Sequence, residues 1–157
     1  MARYLFAFVA ALAFAAPAFA TPHAPRAPIA RIADLPQPLP LPYDASADAG
    51  KAVAQARARA RREHKKLLID LGGNWCPDCR MLMGVMELPS LRAFLDRHFV
   101  IVTVDIGRFD RNGDIAAHYG IRKLEGVPAI LVVDPKSDRL VNRGHLFALA
   151  DWLAQWA

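Results

Sequence analysis

The sequence predicts an α/β fold, because short apolar runs of strand length alternate with stretches of helical periodicity. The runs cover residues 67–71, 99–104 and 129–133, and the second is nearly continuous, as in strands that are covered on both faces. Apolar residues recur at helical spacing over residues 49–60 and 77–86. The length of 157 residues suits one domain.

Residues 1–20 have the composition of a secretory signal peptide. Arg3 gives a positive start, residues 5–16 form an apolar run, and residues 18–20 (Ala-Phe-Ala) match a signal-peptidase site. The apolar run is shorter than the roughly 20 residues that span a bilayer. We therefore expect cleavage before Thr21 and a periplasmic or secreted protein.

Residues 21–43 are predicted to be a Pro-rich linker, and residues 44–157 a single domain. The prolines of this segment are Pro22, Pro25, Pro28, Pro36, Pro38, Pro40 and Pro42. Such density favours an extended chain and disfavours a helix or a central strand. The segment is expected to be either a semi-rigid tether or a chain that lies on the domain.

The first helix of the domain is expected to begin near Asp44 or Ser46, since either side chain can cap it. Basic residues are concentrated at its C-terminal end, where they interact favourably with the helix dipole and form a solvated face. The formal net charge is +5. Because no nucleic-acid motif accompanies this charge, we expect no nucleic-acid partner.

The only two cysteines lie in the stretch Trp75-Cys76-Pro77-Asp78-Cys79, between a predicted strand and a predicted helix. Pro77 suits the first position of a helix. Cys76 then lies at the helix N-terminus, where unpaired N–H groups and the macrodipole favour a thiolate, the nucleophile of disulfide exchange. Cys79 shares the apolar face of the helix, so its sulfur is expected to be buried and able to close a ring with Cys76.

A structural disulfide, a zinc site and a copper site each fit the cysteine pair less well. A structural disulfide that closes so short a loop would hardly constrain the unfolded chain. Zinc needs two more ligands, and the five histidines are scattered. Copper is suggested only by Met81, Met83 and Met86, whose helical spacing is typical of core packing. We expect no metal and no cofactor.

Asp70 interrupts the apolar strand that leads to the cysteines. Burial in such a strand disfavours the ionised carboxylate, so we expect the pKa of Asp70 to be raised. Its position suits a proton acceptor for Cys79. The alternative is a hydrated residue that caps the turn at Gly72-Gly73.

The second half of the chain predicts smaller elements. Asn112 is expected to cap a short helix that ends at Tyr119-Gly120. Gly126-Val127-Pro128 opens the third strand, and Ser137-Asp138 make a turn after it. A closing helix is predicted from one apolar stripe: Leu146, Leu149, Leu153 and Trp156.

The chain resembles the thioredoxin superfamily over roughly residues 45–157. The matching segments are Leu67-Leu68-Ile69-Asp70, Trp75-Cys76-Pro77-Asp78-Cys79, Tyr119-Gly120-Ile121-Arg122 and Gly126-Val127-Pro128. The resemblance implies a thioredoxin-like fold, with a central mixed β-sheet of about four strands flanked by helices on both faces.

The resemblance also implies roles for individual residues. Cys76 would be the attacking cysteine, Cys79 the resolving one and Asp70 the buried carboxylate. Val127–Pro128 would be a cis peptide beside the cysteines that pairs with the substrate chain, and the substrate surface would include Trp75, Pro77 and Asp78. Two positions depart from the family. Gly72 replaces a common tryptophan, which is expected to open the surface, and Ile101 replaces a common lysine.

The function expected from these features is thiol–disulfide exchange on protein substrates that carry disulfides or dithiols. Asp78 places a negative charge beside Cys76, which disfavours the thiolate and favours a reductase. A reductase of this kind in the periplasm is expected to receive electrons from a membrane donor. The alternatives are a disulfide oxidase, or a non-catalytic module that binds a client chain, apocytochrome or copper. The sequence leaves the oligomeric state open.

Overall fold

A computed structural model describes residues 27–147, which form a four-stranded sheet with helices on both faces. A short 3₁₀ helix, Ile32–Asp34, precedes the domain. The helices are α1 (Ala49–Arg62), α2 (Pro77–Met86), α3 (Pro89–His98) and α4 (Gly113–His118). The strands are β1 (Lys66–Gly72), β2 (Phe99–Asp105), β3 (Ala129–Asp134) and β4 (Arg139–Leu140).

The sheet is mixed, in the order β2-β1-β3-β4. β1 is parallel to β2 and antiparallel to β3, and β3 is antiparallel to β4. A parallel neighbour requires a crossover connection, which α2 and α3 supply. The prediction of an α/β fold with a mixed sheet of about four strands and helices on both faces is confirmed.

Side chains of β1 alternate between two cores because successive residues of a strand point to opposite faces. Leu67, Ile69 and Leu71 pack in the core that contains residues of α1 and α4. Leu68 packs in the other core, with residues of α2 and the segment before α1. Asp70 and Gly72 follow Leu68 on this second face, so the alternation directs both toward α2.

The first helix starts later than the sequence predicts. α1 begins at Ala49, and the side chain of Asp48 accepts a hydrogen bond from the Lys51 backbone N–H at 2.9 Å. Asp44 forms a turn instead, where its carboxylate accepts from the backbone N–H of Ser46 at 2.8 Å. A carboxylate that bonds two residues ahead stabilises a turn rather than a helix start.

Asn112 also differs from its predicted role. It occupies the N-cap position of α4, but its side chain makes no capping bond and its backbone is left-handed, with φ of 52°. The Asn112 amide instead donates to the carbonyl of Asp105 at 2.7 Å. Its side chain therefore ties the start of α4 to the end of β2.

Residues 27–43, part of the predicted Pro-rich linker, lie on the domain as a strap. Leu35 and Tyr43 of this N-terminal strap are buried. Proline lacks an N–H but keeps its carbonyl, and side chains of the domain bond to the carbonyls of the strap. Arg80 donates to the carbonyls of Leu39 and Pro40 at 3.0 and 3.2 Å, and a further bond to the strap comes from β2.

Parts of the sequence prediction lie outside the described residues. These are the signal peptide, residues 1–20, and the positions Leu149, Leu153 and Trp156 of the predicted closing helix. Leu146, the first position of that apolar stripe, lies within the described residues and packs against the core of α1 and α4. Within residues 27–147, every helix is too short or too polar to cross a membrane.

Candidate active site

The cysteine pair lies where the carboxyl end of β1 turns into α2. Cys76 is the N-cap of α2, and Pro77 occupies the first turn, as predicted. The Cys76 sulfur accepts a hydrogen bond from the backbone N–H of Cys79 at 3.2 Å. This bond places an amide donor and the positive end of the helix dipole at the sulfur that has to become a thiolate.

The two sulfurs differ in access. Cys76 is 5% exposed and Cys79 is fully buried, and both are free thiols in this structure. Burial raises the pKa of the Cys79 thiol, and the neighbouring Cys76 and Asp70 raise it further. Cys76 is therefore slightly accessible to solvent and Cys79 is not, and the attacking and resolving roles stay predictions.

Val127 and Pro128 lie beside Cys76. The Cys76 thiol faces the Val127 carbonyl oxygen at 3.8 Å, and the Val127–Pro128 peptide bond is cis. Pro128 is fully buried, so its ring is packed inside the domain. Of this pair, Val127 is the residue that is partly accessible beside the sulfur.

Asp70 is buried inside β1, with 0% of its surface exposed. Its Oδ2 atom accepts a hydrogen bond from the Tyr43 hydroxyl at 2.9 Å, and its Oδ1 atom has no partner among the described residues. Burial raises the pKa of Asp70 to about 7, and the bond from Tyr43 acts in the lowering direction. A carboxyl with this pKa exchanges protons at neutral pH, whereas a hydrated turn residue would not.

Tyr43 is the site residue that sequence reasoning missed. It is 3% exposed and forms a small buried cluster with Cys76 and Cys79. Asn74 holds its backbone on both sides: the Tyr43 N–H donates to Asn74 Oδ1 at 3.1 Å, and Asn74 Nδ2 donates to the Tyr43 carbonyl at 2.8 Å. A tyrosine at the end of a Pro-rich segment carries no local signal of burial. The asparagine in the turn before the cysteines carries none either.

Gly72 does not open the surface, contrary to the expectation from the sequence. The residue is buried, because the Tyr43 ring fills the space above it. A Cβ atom placed on Gly72 would lie 2.5 Å from the Tyr43 hydroxyl oxygen and 2.9 Å from the Cys79 sulfur. Glycine is thus required here by the approach of a side chain from the N-terminal strap.

Replacing Gly72 by alanine is expected to destabilise the protein by about 1–3 kcal/mol, because overpacking forces buried groups to shift. The measurement is urea unfolding. Gly113→Ala is the matched control, since a Cβ at Gly113 meets no atom within 4 Å. Equal unfolding free energies for the two variants would mean that Tyr43 does not occupy this space in solution.

Exposed aromatic residues lie next to Cys76. Trp75 is 38% exposed, and its ring meets that of Phe109 edge-on, with centroids 6.2 Å apart. The indole Nε1 donates to the Gly107 carbonyl at 2.6 Å, and the Arg108 guanidinium lies 4.7 Å from the ring centroid. The rings of Trp75 and Phe109, called the aromatic shelf below, form an exposed apolar surface. Phe109, from the loop after β2, was not predicted.

The predicted substrate residues of the first turn are accessible as well. Pro77 and Asp78 are both exposed to solvent. Within residues 27–147, there is no group of three or more potential metal ligands. The site therefore combines a thiol at a helix N-terminus, a fully buried thiol and a buried carboxyl with exposed aromatic rings.

Comparison with known proteins identifies the family. A model described as thioredoxin-like matches residues 48–135, more than half of the chain. The chain belongs to the thioredoxin-like family. The matched segment contains β1 with Asp70, the cysteine motif at the start of α2, and β3, which follows Pro128. Family membership thus agrees with the resemblance of the motifs.

Comparison with solved structures gives an informative neighbour of this thioredoxin-like chain. A disulphide isomerase from Xylella fastidiosa Temecula1 is 34% identical, with a TM-score of 0.63, and the match covers 74% of this chain and 97% of that chain. A protein of unknown function from Pseudomonas aeruginosa is 22% identical over 69% of this chain and 75% of that chain, with a TM-score of 0.30. A search of curated proteins gave no significant match.

Proposed function

We propose that this thioredoxin-like protein is a thiol–disulfide oxidoreductase that reduces disulfides of protein clients in the periplasm. The observation that carries the proposal is the unequal placement of the two thiols. Cys76 lies at a helix N-terminus and is slightly exposed, whereas Cys79 is fully buried one turn further, where it interacts with Asp70. The similar structure that is named a disulphide isomerase supports the same class of chemistry.

The reaction proceeds in two exchanges. In the first, the Cys76 thiolate attacks one sulfur of the client disulfide, and the other client sulfur leaves as a thiolate. In the second, Cys79 loses its proton and attacks Cys76. The Cys76–Cys79 disulfide forms and the client departs with both of its sulfurs reduced. A donor of two electrons then restores the dithiol.

The aromatic shelf gives the client a place beside the sulfur. Trp75 and Phe109 present apolar rings, and the partly accessible Val127 lies beside Cys76. A client chain that contacts these residues would bring its disulfide to Cys76. Such a surface selects for exposed apolar chain rather than for one sequence, which suits a protein that acts on several clients.

We propose that electrons flow from this protein to its clients, and the argument rests on the charge of Asp78. Its exposed carboxylate lies in the first turn of α2, next to the sulfur that ionises. A like charge disfavours the Cys76 thiolate and with it the reduced protein, which makes the pair a better reductant. We also propose that residues 1–20 direct export and that a membrane protein supplies the electrons.

Replacing Asp78 by histidine is expected to raise the reduction potential by roughly 4–20 mV. Exposed charge pairs contribute about 0.2–1 kcal/mol, and about 30 mV corresponds to 1.4 kcal/mol for a two-electron couple. The measurement is redox titration against glutathione at low salt. Asp114→His is the matched control, because Asp114 lies exposed in the first turn of α4. An unchanged or lower potential for the Asp78 variant would remove the argument for a reductase.

The function itself is tested by the reduction of insulin with dithiothreitol as electron donor. The protein is expected to accelerate the precipitation of the insulin chains. A protein that binds clients without acceleration would be the non-catalytic module. One that fails to reduce insulin but oxidises reduced peptides would be an oxidase.

A further inference from the structure

The Tyr43 hydroxyl lies close to two buried groups, the Asp70 carboxyl and the Cys79 thiol. Its oxygen is 2.9 Å from Asp70 Oδ2, to which it donates. The Cys79 sulfur is near the same oxygen, since a Cβ atom placed on Gly72 would lie 2.5 Å from the oxygen and 2.9 Å from the sulfur. Tyr43, Cys76 and Cys79 form one buried cluster. A phenol in this position can accept from one neighbour while it donates to the other.

Water has little access to either group that changes charge. Asp70 and Cys79 are each 0% exposed, and Tyr43 is the only hydrogen-bond partner of the Asp70 side chain among the described residues. The titratable groups that face Asp70 are Tyr43 from the strap and Cys79 from α2, with Cys76 beyond Cys79. The proton of Cys79 therefore has a short internal route.

We propose that the Tyr43 hydroxyl relays the proton of the Cys79 thiol to the Asp70 carboxylate during resolution of the mixed disulfide. The role rests on the proposed oxidoreductase function. Cys79 S–H gives its proton to the Tyr43 oxygen while Tyr43 O–H gives its own to Asp70. The Cys79 thiolate attacks Cys76, the Cys76–Cys79 bond forms, the bond to the client breaks, and the client sulfur leaves with the electron pair.

Tyr43 passes protons without becoming a phenolate. Burial raises the pKa of its hydroxyl, and the neighbouring Asp70 and Cys79 raise it further. The hydroxyl therefore gains one proton as it gives up another, and only Cys79 and Asp70 change charge. Asn74 fixes the Tyr43 backbone on both sides, and Thr103 donates to the preceding Pro42 carbonyl at 2.8 Å, so the hydroxyl is held in place before the client arrives.

The test is Tyr43→Phe, which keeps the ring and removes the hydroxyl. The reduced protein is mixed with glutathione disulfide, quenched with acid after increasing times, and analysed by intact mass for the Cys76–glutathione adduct. We expect formation of the adduct at the wild-type rate and resolution slower by at least about tenfold, since positioned proton transfer contributes about 10²–10⁴-fold. The adduct should therefore accumulate in the variant.

Tyr119→Phe is the matched control. Tyr119 is also buried, and its hydroxyl also donates to a carboxylate, that of Asp138 at 3.2 Å, outside the active site. Loss of this hydroxyl should leave both steps unchanged. Similar slowing in the two variants would mean that a lost tyrosine hydroxyl acts through stability, and would overturn the relay.

The dependence on pH separates a relay from a packing effect. In the wild type, resolution should accelerate as pH rises through about 7, because Asp70 must be ionised to accept a proton. The bond from Tyr43 lowers the pKa of Asp70, so the inflection should move to higher pH in Tyr43→Phe. Coincident profiles for wild type and variant would overturn the proposal.

A measurement on the unaltered protein covers the case in which Tyr43→Phe does not fold. The resolution rate is followed in mixtures of H₂O and D₂O. If two protons move in the same step, the resolution rate should depend on the deuterium fraction along a curve. A linear dependence would indicate direct transfer of one proton and would overturn the relay. The oxidoreductase function fails separately, if the wild type forms neither the adduct nor the internal disulfide.

Discussion

Replacement of Cys76 by serine is expected to abolish insulin reduction, because Cys76 is the proposed attacking sulfur at the N-terminus of α2. Cys79 is fully buried and cannot take over the attack. Cys79→Ser should also stop turnover, but at a later point: Cys76 still attacks, and a mixed disulfide with the client persists because no second thiol resolves it.

Non-reducing electrophoresis and intact mass distinguish the two variants. Cys79→Ser should retain one equivalent of client or glutathione, which dithiothreitol releases, and Cys76→Ser should retain none. Thermal melts show whether each variant is folded. Insulin reduction by Cys76→Ser at the wild-type rate would contradict the assignment of Cys76, and adducts on Cys79 would reverse the two roles.

Replacement of Asp70 by asparagine is expected to slow resolution by roughly 10²-fold at neutral pH and to leave the first attack unchanged. Asparagine keeps the shape and can accept the bond from Tyr43, but it cannot take the Cys79 proton. Rapid quenching with glutathione disulfide measures both steps. Asp114→Asn is the control, since Asp114 is exposed and outside the site. Equal slowing of both steps would contradict a role in proton transfer.

The same variant should change the pH dependence of stability. Burial raises the pKa of Asp70 from its usual 3.8 to about 7, so the folded state binds more protons than the unfolded state between these values. The wild type therefore loses stability as pH rises from about 4 to about 7, by roughly 4 kcal/mol at most. Asp70→Asn removes the ionisation and should be the more stable protein at pH 8.

Urea unfolding at pH 4 and pH 8 checks the sign. The wild type and Asp70→Asn should be similar at the lower pH, where Asp70 is protonated when folded, and should diverge at the higher one. A wild type that is the more stable protein at pH 8 would mean that Asp70 has its ordinary pKa, and hence that it is hydrated in solution.

The strands and the cysteine motif could be predicted from the sequence because their signals are local, whereas the mixed sheet was implied by the resemblance to the thioredoxin superfamily. Strand β1 is an apolar run, the run is followed by Gly72-Gly73, and Pro77 marks the first turn of α2. Each of these features depends on neighbours in the chain. The raised pKa of Asp70 could be predicted for the same reason, since a carboxylate within a buried strand has no local route to water.

Several elements could not be placed in this way. The start of α1 depends on a choice between Asp44 and Asp48, which have the same side chain and differ only in the bonds that their surroundings allow. Asn112 has the residue type of a cap, yet it bonds to the end of β2. Choices of this kind are made by packing after the elements meet.

The sequence by itself determined the strands and helices, the place of the two cysteines at a helix start and the position of Asp70 in a buried strand, because strand and helix periodicity act over a few residues. Only the tertiary structure decided that the N-terminal strap completes the site. Tyr43 reaches Asp70 because Asn74, Arg80 and Thr103 bond to backbone groups of the strap. These bonds join residues far apart in the chain, and their strength depends on burial that no local pattern records. For the same reason, Gly72 was expected to mark a gap, whereas its missing side chain makes room for Tyr43.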